Sequence, residues 1–190
     1  LPGSRKDEVK YLISKLFGAI AGIKSAQSAI KFIVPCIPAL MPAIEHAARS
    51  AGVSEQVQLV QGQSHTVLAA CDVAIVASGT ATLETALYKR PMVIAYNMHW
   101  LSWLIMRRKK LQPWVGLPNI LCGEFVVPEL LQSDCTPQAL TQATLAWLQS
   151  PEKIHALEQR FSVLHEQLLR DTPQLCAQAI ESVLSYATPA

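Results

Sequence analysis

The chain has 190 residues, of which 51% are hydrophobic and 16% are charged, and its formal net charge is +2. This length allows one substantial domain with a core of its own. The small net charge gives no reason to expect a nucleic-acid partner. The mean hydropathy of +0.25 is high, yet no run of about 18 uninterrupted apolar residues occurs, and we therefore expect no transmembrane helix.

The five cysteines are scattered along the chain and form no Cys-x-x-Cys pair or Cys/His cluster. This distribution favours a reduced, cytosolic environment over a disulfide framework or a zinc site. The chain opens on Leu1-Pro2-Gly3-Ser4-Arg5, without an initiator Met, and this start is typical of the end of a strand. We therefore expect a fragment of a longer protein.

The first half of the chain alternates between strand-like and helix-like patterns. Apolar spacing and the positions of Pro and Gly predict a helix over 6–23, a strand over 31–35, a helix over 38–51, a strand over 57–60, a short helix over 64–70 capped by Ser64, a strand over 72–77, a helix after Thr80 and a strand over 91–96. This alternation predicts an α/β fold with a doubly wound parallel sheet.

After Tyr96 the pattern changes. An apolar, aromatic helix is predicted over about 99–111, followed by a segment punctuated by Pro and Gly over 114–128. The remainder is predicted to be helical, over 137–148, after Pro151 and after Pro173.

The apolar residues 73–77 end in the small residues Ser78, Gly79 and Thr80, and a helix-forming segment follows. A short continuous apolar run is typical of a strand buried on both faces in a parallel sheet. Small residues let the backbone approach a ligand, and the next helix presents free N–H groups and the positive end of its dipole. The pattern predicts an anion site, and we expect the anion to be a diphosphate.

Gly3-Ser4-Arg5 forms a second candidate phosphate turn. It combines backbone N–H groups with a guanidinium, which binds phosphate through two parallel hydrogen bonds. In a doubly wound sheet this turn shares the carboxyl edge with Ser78–Thr80. We expect the two turns to hold one pyrophosphate between them. The alternative is an ordinary loop arginine.

Glu84 and His65 are further candidates near these turns. With Thr80 as the N-cap, Glu84 lies one residue past the capping-box position, so its carboxylate is available to the two hydroxyls of a ribose. The alternative is a charge that complements the helix dipole. His65 is either a phosphate donor or a solvated surface residue. His46, His99, His155 and His165 have no pairing at i+3 or i+4 with another ligand type that makes a convincing metal site, so we expect none.

An aromatic and basic segment follows the predicted sheet. Tryptophan beside a cluster of cations suits a bilayer interface with anionic headgroups. The alternative is a core helix whose cations complement its C-terminal dipole. The residues expected to contact the membrane are Trp100, Trp103, Arg107, Arg108, Lys109 and Lys110.

Four segments together resemble the lipid-A-disaccharide synthase family. They are Leu-Pro-Gly-Ser-Arg at 1–5, Ala-Ser-Gly-Thr-Ala-Thr-Leu-Glu at 77–84, Leu-Pro-Asn-Ile-Leu at 117–121 and Pro-Glu-Leu-Leu-Gln at 128–132. The resemblance covers nearly the whole chain and corresponds to the second half of the enzyme. It implies the Rossmann-like C-terminal domain of a GT-B glycosyltransferase, over residues 1–150, and a helical tail over 151–190 that exchanges with a partner in a dimer.

The resemblance also implies a reaction. The family transfers 2,3-diacylglucosamine from its UDP conjugate to 2,3-diacylglucosamine 1-phosphate, giving the β-1,6-linked lipid A disaccharide phosphate and UDP. It implies a cytoplasmic enzyme, peripheral on the inner membrane, with no metal or organic cofactor. Carried over by position, Arg5 and Asn119 would be catalytic. The UDP-binding residues would be Gly3, Ser4, Arg5, Gly62, Ser78, Gly79, Thr80, Ala81, Thr82 and Glu84.

Two other readings stay open. One is a different UDP-sugar enzyme of the GT-B type, such as an N-acetylglucosaminyltransferase or an epimerase, whose donor carries no acyl chains. The other is a non-enzymatic helical interaction module, which predicts no nucleotide affinity. Glu124 is assigned no catalytic role, because the surrounding Cys122–Phe125 segment departs from the pattern of the family.

Overall fold

The computed structural model describes residues 1–109 and 111–187. The first half of the chain forms α1 (Lys6–Ala26), β1 (Phe32–Cys36), α2 (Met41–Ser50), β2 (Val57–Gln61), α3 (Ser64–Ala70), β3 (Ala74–Ala77), α4 (Thr80–Leu87) and β4 (Met92–Tyr96). The second half forms α5 (Trp100–Lys109), α6 (Leu117–Cys122), β5 (Glu129–Leu131), α7 (Pro137–Leu148), α8 (Pro151–Leu168) and α9 (Thr172–Ala187).

The strand pairings found among the described residues are all parallel. β1 pairs with β2, with Phe32 opposite Val57. β4 lies between β3 and β5, with Ala74 opposite Met92 and Ile94 opposite Glu129. Parallel neighbours need long crossovers, which the intervening helices provide. The predicted parallel α/β fold is confirmed, with its strands in one sheet of two and one of three.

Helices cover both faces of β3, which explains its continuous apolar sequence. Ala74 and Val76 lie in a core shared with α3, α4 and α8, whereas Ile75 and Ala77 pack with α1 and α7. Successive side chains of a strand point to opposite faces. Both sets must therefore be apolar when both faces are buried.

Helices α8 and α9 of the predicted tail differ in how they pack. Leu157, Phe161 and Leu164 of α8 are buried in the same core as β3 and β4. Their spacing of four and three places them on one helix face. Residues 171–184, in contrast, are all exposed. Exchange of the tail in a dimer stays a prediction, and α9 is the part that this packing leaves available.

Several local predictions differ from the structure. Helix α6 forms inside the segment expected to be irregular, because Pro118 lies in its first turn, where a missing N–H costs nothing. Strand β5 has only three residues, too few for a period-two pattern. The N-cap of α4 is Gly79 rather than Thr80, and α3 starts at Ser64 after Gln63, so Ser64 does not cap it.

Candidate functional site

The two candidate phosphate turns lie side by side at one sheet edge. Leu1 runs parallel to β3: its amino group donates to the Ile75 carbonyl at 2.8 Å, and its carbonyl accepts from the Ala77 N–H at 2.9 Å. A Cβ placed on Gly3 would lie 3.6 Å from the Cβ of Ala77. Residues 3–5 and 78–82 therefore leave neighbouring strand ends on the same side of the molecule.

Gly3 is required by the geometry of the first turn. Its φ of +104° is one that residues with a side chain rarely adopt, and a Cβ there would lie 2.7 Å from Oε2 of Glu8. The close approach brings the backbone of the turn against the first turn of α1.

Arg5 is the N-cap of α1, and its side chain is 83% exposed. Its Nη1 donates to Oε1 of Glu8 at 3.2 Å. Glu8 in turn lies near the Arg5 N–H, with Oε2 at 3.4 Å. A surface pair of this kind contributes little stability, so the guanidinium can leave Glu8 for a stronger anion at small cost. Arg5 therefore lies at the sheet edge, and its guanidinium can turn from Glu8 to an anion.

The second turn presents the amino end of α4. Gly79 and Thr80 are exposed, and the first N–H groups of a helix have no intrahelical partners. Three donors of the turn are already bonded. The Ser78 N–H donates to the Ala95 carbonyl at 2.9 Å, and the N–H and hydroxyl of the buried Thr82 both donate to the Gly79 carbonyl, at 3.1 and 2.7 Å. The donors that remain for an anion are thus the backbone N–H groups of residues 79–81 and the Ser78 hydroxyl.

Glu84 and His65 are brought together from α4 and α3. Nε2 of His65 lies 3.5 Å from Oε2 of Glu84, and its ring lies 5.9 Å from that of Tyr88. Arg90 fixes α3 in this place, because its Nε donates to the Leu68 carbonyl at 3.2 Å and its Nη2 to the Ala69 carbonyl. Glu84 thus lies one helical turn behind the anion donors with a histidine beside it.

The loop after β2 reaches the same edge. Gly62 has a φ of +65°, and its N–H donates to the Cys36 carbonyl at 2.9 Å. The carboxyl ends of parallel strands meet at one edge, which places Gly62 beside His65 at the margin of the site.

Tyr96 ends β4 behind the two phosphate turns. Burial raises the pKa of its phenol, and the Glu8 carboxylate raises it further, while Arg5 acts in the opposite direction. Because its pKa is raised, the phenol is protonated at neutral pH and can donate a hydrogen bond.

Asn119 is fully buried. Its Oδ1 accepts from the Val126 and Val127 N–H groups at 2.9 and 3.0 Å, and its Nδ2 donates to the Val127 carbonyl at 2.9 Å and to Oε1 of Glu129 at 2.8 Å. These four bonds use the full hydrogen-bonding capacity of the amide. A role in contact with substrate stays a prediction, and the observed bonds are those of a residue that positions others.

Glu129 is a polar residue of this network that the sequence analysis did not single out. Its carboxylate accepts from the Val115 N–H at 2.9 Å and from the Gly116 N–H at 2.8 Å, so it holds the amino end of α6 against β5. The sequence analysis assigned Glu124 no catalytic role. Its Oε1 lies 2.9 Å from Nη2 of Arg160 on α8.

The segment expected to contact a membrane forms α5. Its exposed apolar residues are Trp100, Leu101, Leu104 and Ile105, and Arg108 is also exposed. Lys110 and the side chains of Arg107 and Lys109 lie outside the described residues. No helix within 1–109 and 111–187 is long and apolar enough to cross a bilayer. The same residues contain no cluster of three or more His, Cys, Asp or Glu side chains suited to a metal ion.

The sequence of this chain matches a known protein family. The family model described as lipid-A-disaccharide synthetase matches residues 1–180. Lipid-A-disaccharide synthases of Albidiferax ferrireducens and Verminephrobacter eiseniae are 63% and 58% identical to this chain over 188 and 190 residues. The alignments cover 97% and 98% of this chain but 48% and 49% of the relatives. The chain therefore spans about half the length of the curated relatives that it matches.

Two solved structures share the fold. A protein described as a UDP-N-acetylglucosamine 2-epimerase from Listeria monocytogenes matches 82% of this chain and 37% of its own, at 14% identity and a TM-score of 0.57. Anabaena HepE, solved in complex with UDP, matches 90% of this chain and 44% of its own, at 15% identity and a TM-score of 0.57. At these identities the similarity shows the fold alone.

Proposed function

This chain belongs to the lipid-A-disaccharide synthetase family, and we propose that it binds the UDP part of the sugar donor in such an enzyme. The observation that carries the proposal is the adjacency of the turns 3–5 and 78–82, set by the hydrogen bond between Leu1 and Ala77. One turn carries a guanidinium and the other a helix amino end. Two such groups at one edge suit a diphosphate better than a single phosphate.

Each part of the site has a role in this proposal. The free N–H groups of residues 79–81 bind one phosphate, and Arg5 leaves Glu8 to bind the other. Glu84 accepts the ribose hydroxyls, and the loop at Gly62 borders the uracil. As the glycosidic bond to UDP breaks, negative charge grows on the leaving diphosphate. The guanidinium and the α4 dipole stabilise that charge, which lowers the barrier to transfer.

In the whole protein, we propose, the donor is UDP-2,3-diacylglucosamine and the acceptor is 2,3-diacylglucosamine 1-phosphate. The products are the β-1,6-linked disaccharide phosphate and UDP. The proposal rests on family membership together with the UDP site. The part of the relatives that this chain does not match would provide most of the acceptor site and the general base.

Asn119 acts in this proposal as a positioning residue. Its bonds to Val126, Val127 and Glu129 tie α6 to β5. Because α6 packs on α4, loss of the amide would shift α4 and weaken donor binding indirectly.

Two exposed surfaces have partners in this proposal, a membrane for one and a second copy of the protein for the other. The exposed apolar residues of α5 lie on the surface of the inner membrane, where the donor and acceptor reside, and Arg108 meets anionic headgroups. The exposed helix α9 packs on a partner in a homodimer.

Titration with two different UDP-sugars discriminates among the candidate functions. We would titrate the full-length protein with UDP-2,3-diacylglucosamine and with UDP-N-acetylglucosamine, and then assay disaccharide formation with the acylated acceptor. Tighter binding of the acylated donor and formation of the disaccharide are expected. Preference for the non-acylated donor would favour another UDP-sugar enzyme. Absence of any nucleotide binding would favour an interaction module.

A further inference from the structure

Tyr96 is the last residue of β4, and its backbone is held between two other strands. Its carbonyl accepts from the Gln132 N–H at 2.8 Å, and Tyr96 lies opposite Leu131 of β5. On the other side of β4, the Ser78 N–H donates to the Ala95 carbonyl at 2.9 Å, which extends the pairing of β3 with β4 to the end of both strands. These bonds place Tyr96 at the carboxyl edge of the sheet, beside the second phosphate turn.

The side chain of Tyr96 leaves β4 on the face that α4 covers. Ile94 lies in the core against which Ala81 of α4 packs, whereas Ala95 lies in the core on the opposite face. Successive side chains of a strand alternate between faces, so Tyr96 follows Ile94 on the α4 side. Asn97 continues the alternation, because its Nδ2 donates to a backbone carbonyl of α1 at 3.1 Å.

This face brings the phenol to the amino end of α4. The helix connects the carboxyl end of β3 to the amino end of β4, so it runs antiparallel to both strands. Tyr96 lies two residues beyond Ile94, in the direction in which α4 approaches its first residue, Thr80. The phenol therefore lies beside the N–H groups of residues 79–81.

The Tyr96 hydroxyl is available to a ligand. The residue is half-buried, and within 1–109 and 111–187 its hydroxyl has no hydrogen-bond partner. Burial is the main cause of its raised pKa, and the charges of Glu8 and Arg5 act on it as well, in opposite directions. The phenol thus lies within electrostatic reach of the first phosphate turn while it stands beside the second.

The nucleoside lies on the other side of α4 in the proposed UDP site. Its candidate contacts, Glu84 and Gly62, are next to α3, and α3 packs against β1. In the order of the strands, β4 is beyond β3 as seen from β1. A diphosphate that crosses the amino end of α4 away from the ribose therefore ends near Tyr96.

We propose that Tyr96 is a further substrate-binding residue, whose hydroxyl donates a hydrogen bond to the β-phosphate of the UDP-sugar. This assignment rests on the proposed function, and it adds a neutral donor to the guanidinium and the helix amino end. It also sets the direction of the donor, with uracil toward α3 and the transferred sugar toward β4.

The hydrogen bond would strengthen as the sugar is transferred. An acceptor hydroxyl oxygen bonds to the anomeric carbon while the bond from that carbon to the β-phosphate oxygen breaks. The electron pair of the broken bond leaves with UDP, and the hydroxyl proton passes to the general base. A donor aimed at the leaving oxygen is worth more as its negative charge grows. The raised pKa favours a phenol that keeps its own proton throughout.

Tyr96→Phe in the full-length protein tests the assignment, because it removes the hydroxyl and keeps the ring. We expect UDP to bind about tenfold more weakly, as for loss of one hydrogen bond to a charged group, and UMP to bind as it does to the parent. The kcat for disaccharide formation should fall at least about tenfold. The melting temperature should not change, since the hydroxyl has no partner in the described part of the chain.

Tyr88→Phe is the matched control. Tyr88 is the C-cap of α4, at the far end of the helix from the anion donors, and this variant should keep the parent's preference for UDP over UMP. If Tyr96→Phe also keeps that preference, or loses UDP and UMP affinity equally, the proposal for Tyr96 is overturned while the UDP site stands. A parent protein that binds UDP no more tightly than UMP would overturn the proposed function and this assignment with it.

Discussion

Nε2 of His65 lies 3.5 Å from Oε2 of Glu84, across the gap between α3 and α4. The two side chains are 66% and 40% exposed, so solvent reaches both and the pair adds little to stability. The contact orients the carboxylate, because the imidazole holds one of its oxygens on the side of α3. The other oxygen is left for a ligand.

Glu84→Gln should weaken binding of the ribose without weakening binding of the phosphates. We expect its affinity for UDP to fall about tenfold, which corresponds to ~1.4 kcal/mol and the loss of a charge-assisted hydrogen bond. Its affinity for inorganic pyrophosphate should not change, because the donors at 79–81 remain. Calorimetric titration with both ligands measures this. His65→Ala serves as the control and should lose less than Glu84→Gln; an equal loss of pyrophosphate affinity would refute the ribose role.

Gly3→Ala should distort the first phosphate turn. The added Cβ would meet Oε2 of Glu8 at 2.7 Å with φ at +104°, and we expect a loss of roughly 1–3 kcal/mol in the free energy of unfolding together with weaker UDP binding. Gly52→Ala is the matched control, because its φ is +68° but nothing lies within 4 Å of the new Cβ. It should lose stability from the backbone alone and leave UDP binding intact. Denaturant unfolding and UDP titration of both variants check this.

Asn119→Ala should destabilise the protein severely. It removes four hydrogen bonds and leaves the N–H and the carbonyl of the buried Val127 without the amide that bonds them, at a cost of roughly 1–3 kcal/mol for each unsatisfied group. Asn97→Ala removes a single bond, from Nδ2 to the Tyr11 carbonyl, and should cost much less. Thermal melts of the two variants decide between a positioning role and a direct one. A stable Asn119→Ala that binds UDP normally but does not turn over would show direct catalysis.

Removing apolar side chains from α5 should weaken membrane binding. The double variant Trp100→Ser and Ile105→Ser removes side chains that are 68% and 53% exposed. We expect at least tenfold weaker cosedimentation with vesicles containing phosphatidylglycerol, because each buried apolar side chain contributes roughly 1.5–3 kcal/mol. Ile180→Ser with Val183→Ser on α9, at 61% and 66% exposure, is the control and should bind like the parent. Equal loss in both variants would indicate nonspecific adhesion.

The sequence predicted those parts of the candidate site whose structure depends on residues close together in the chain. The apolar run of β3 and the small residues after it determine a buried parallel strand and a helix amino end, and both turns meet at one edge because parallel strands share their direction. Burial of Asn119 was not predictable in this way, because a ligand-binding amide and a saturated core amide have the same sequence. The contact between His65 and Glu84 depends on how Arg90 holds α3, a tertiary bond with no signature in the spacing.

The most direct test of the central claim is a calorimetric titration of the chain with UDP, UMP and uridine, repeated with Arg5→Ala. We expect UDP to bind at least tenfold more tightly than UMP, uridine to bind weakest, and Arg5→Ala to abolish the advantage of UDP over UMP. If UMP binds as tightly as UDP, or if Arg5→Ala leaves that advantage intact, the two turns do not hold a diphosphate together.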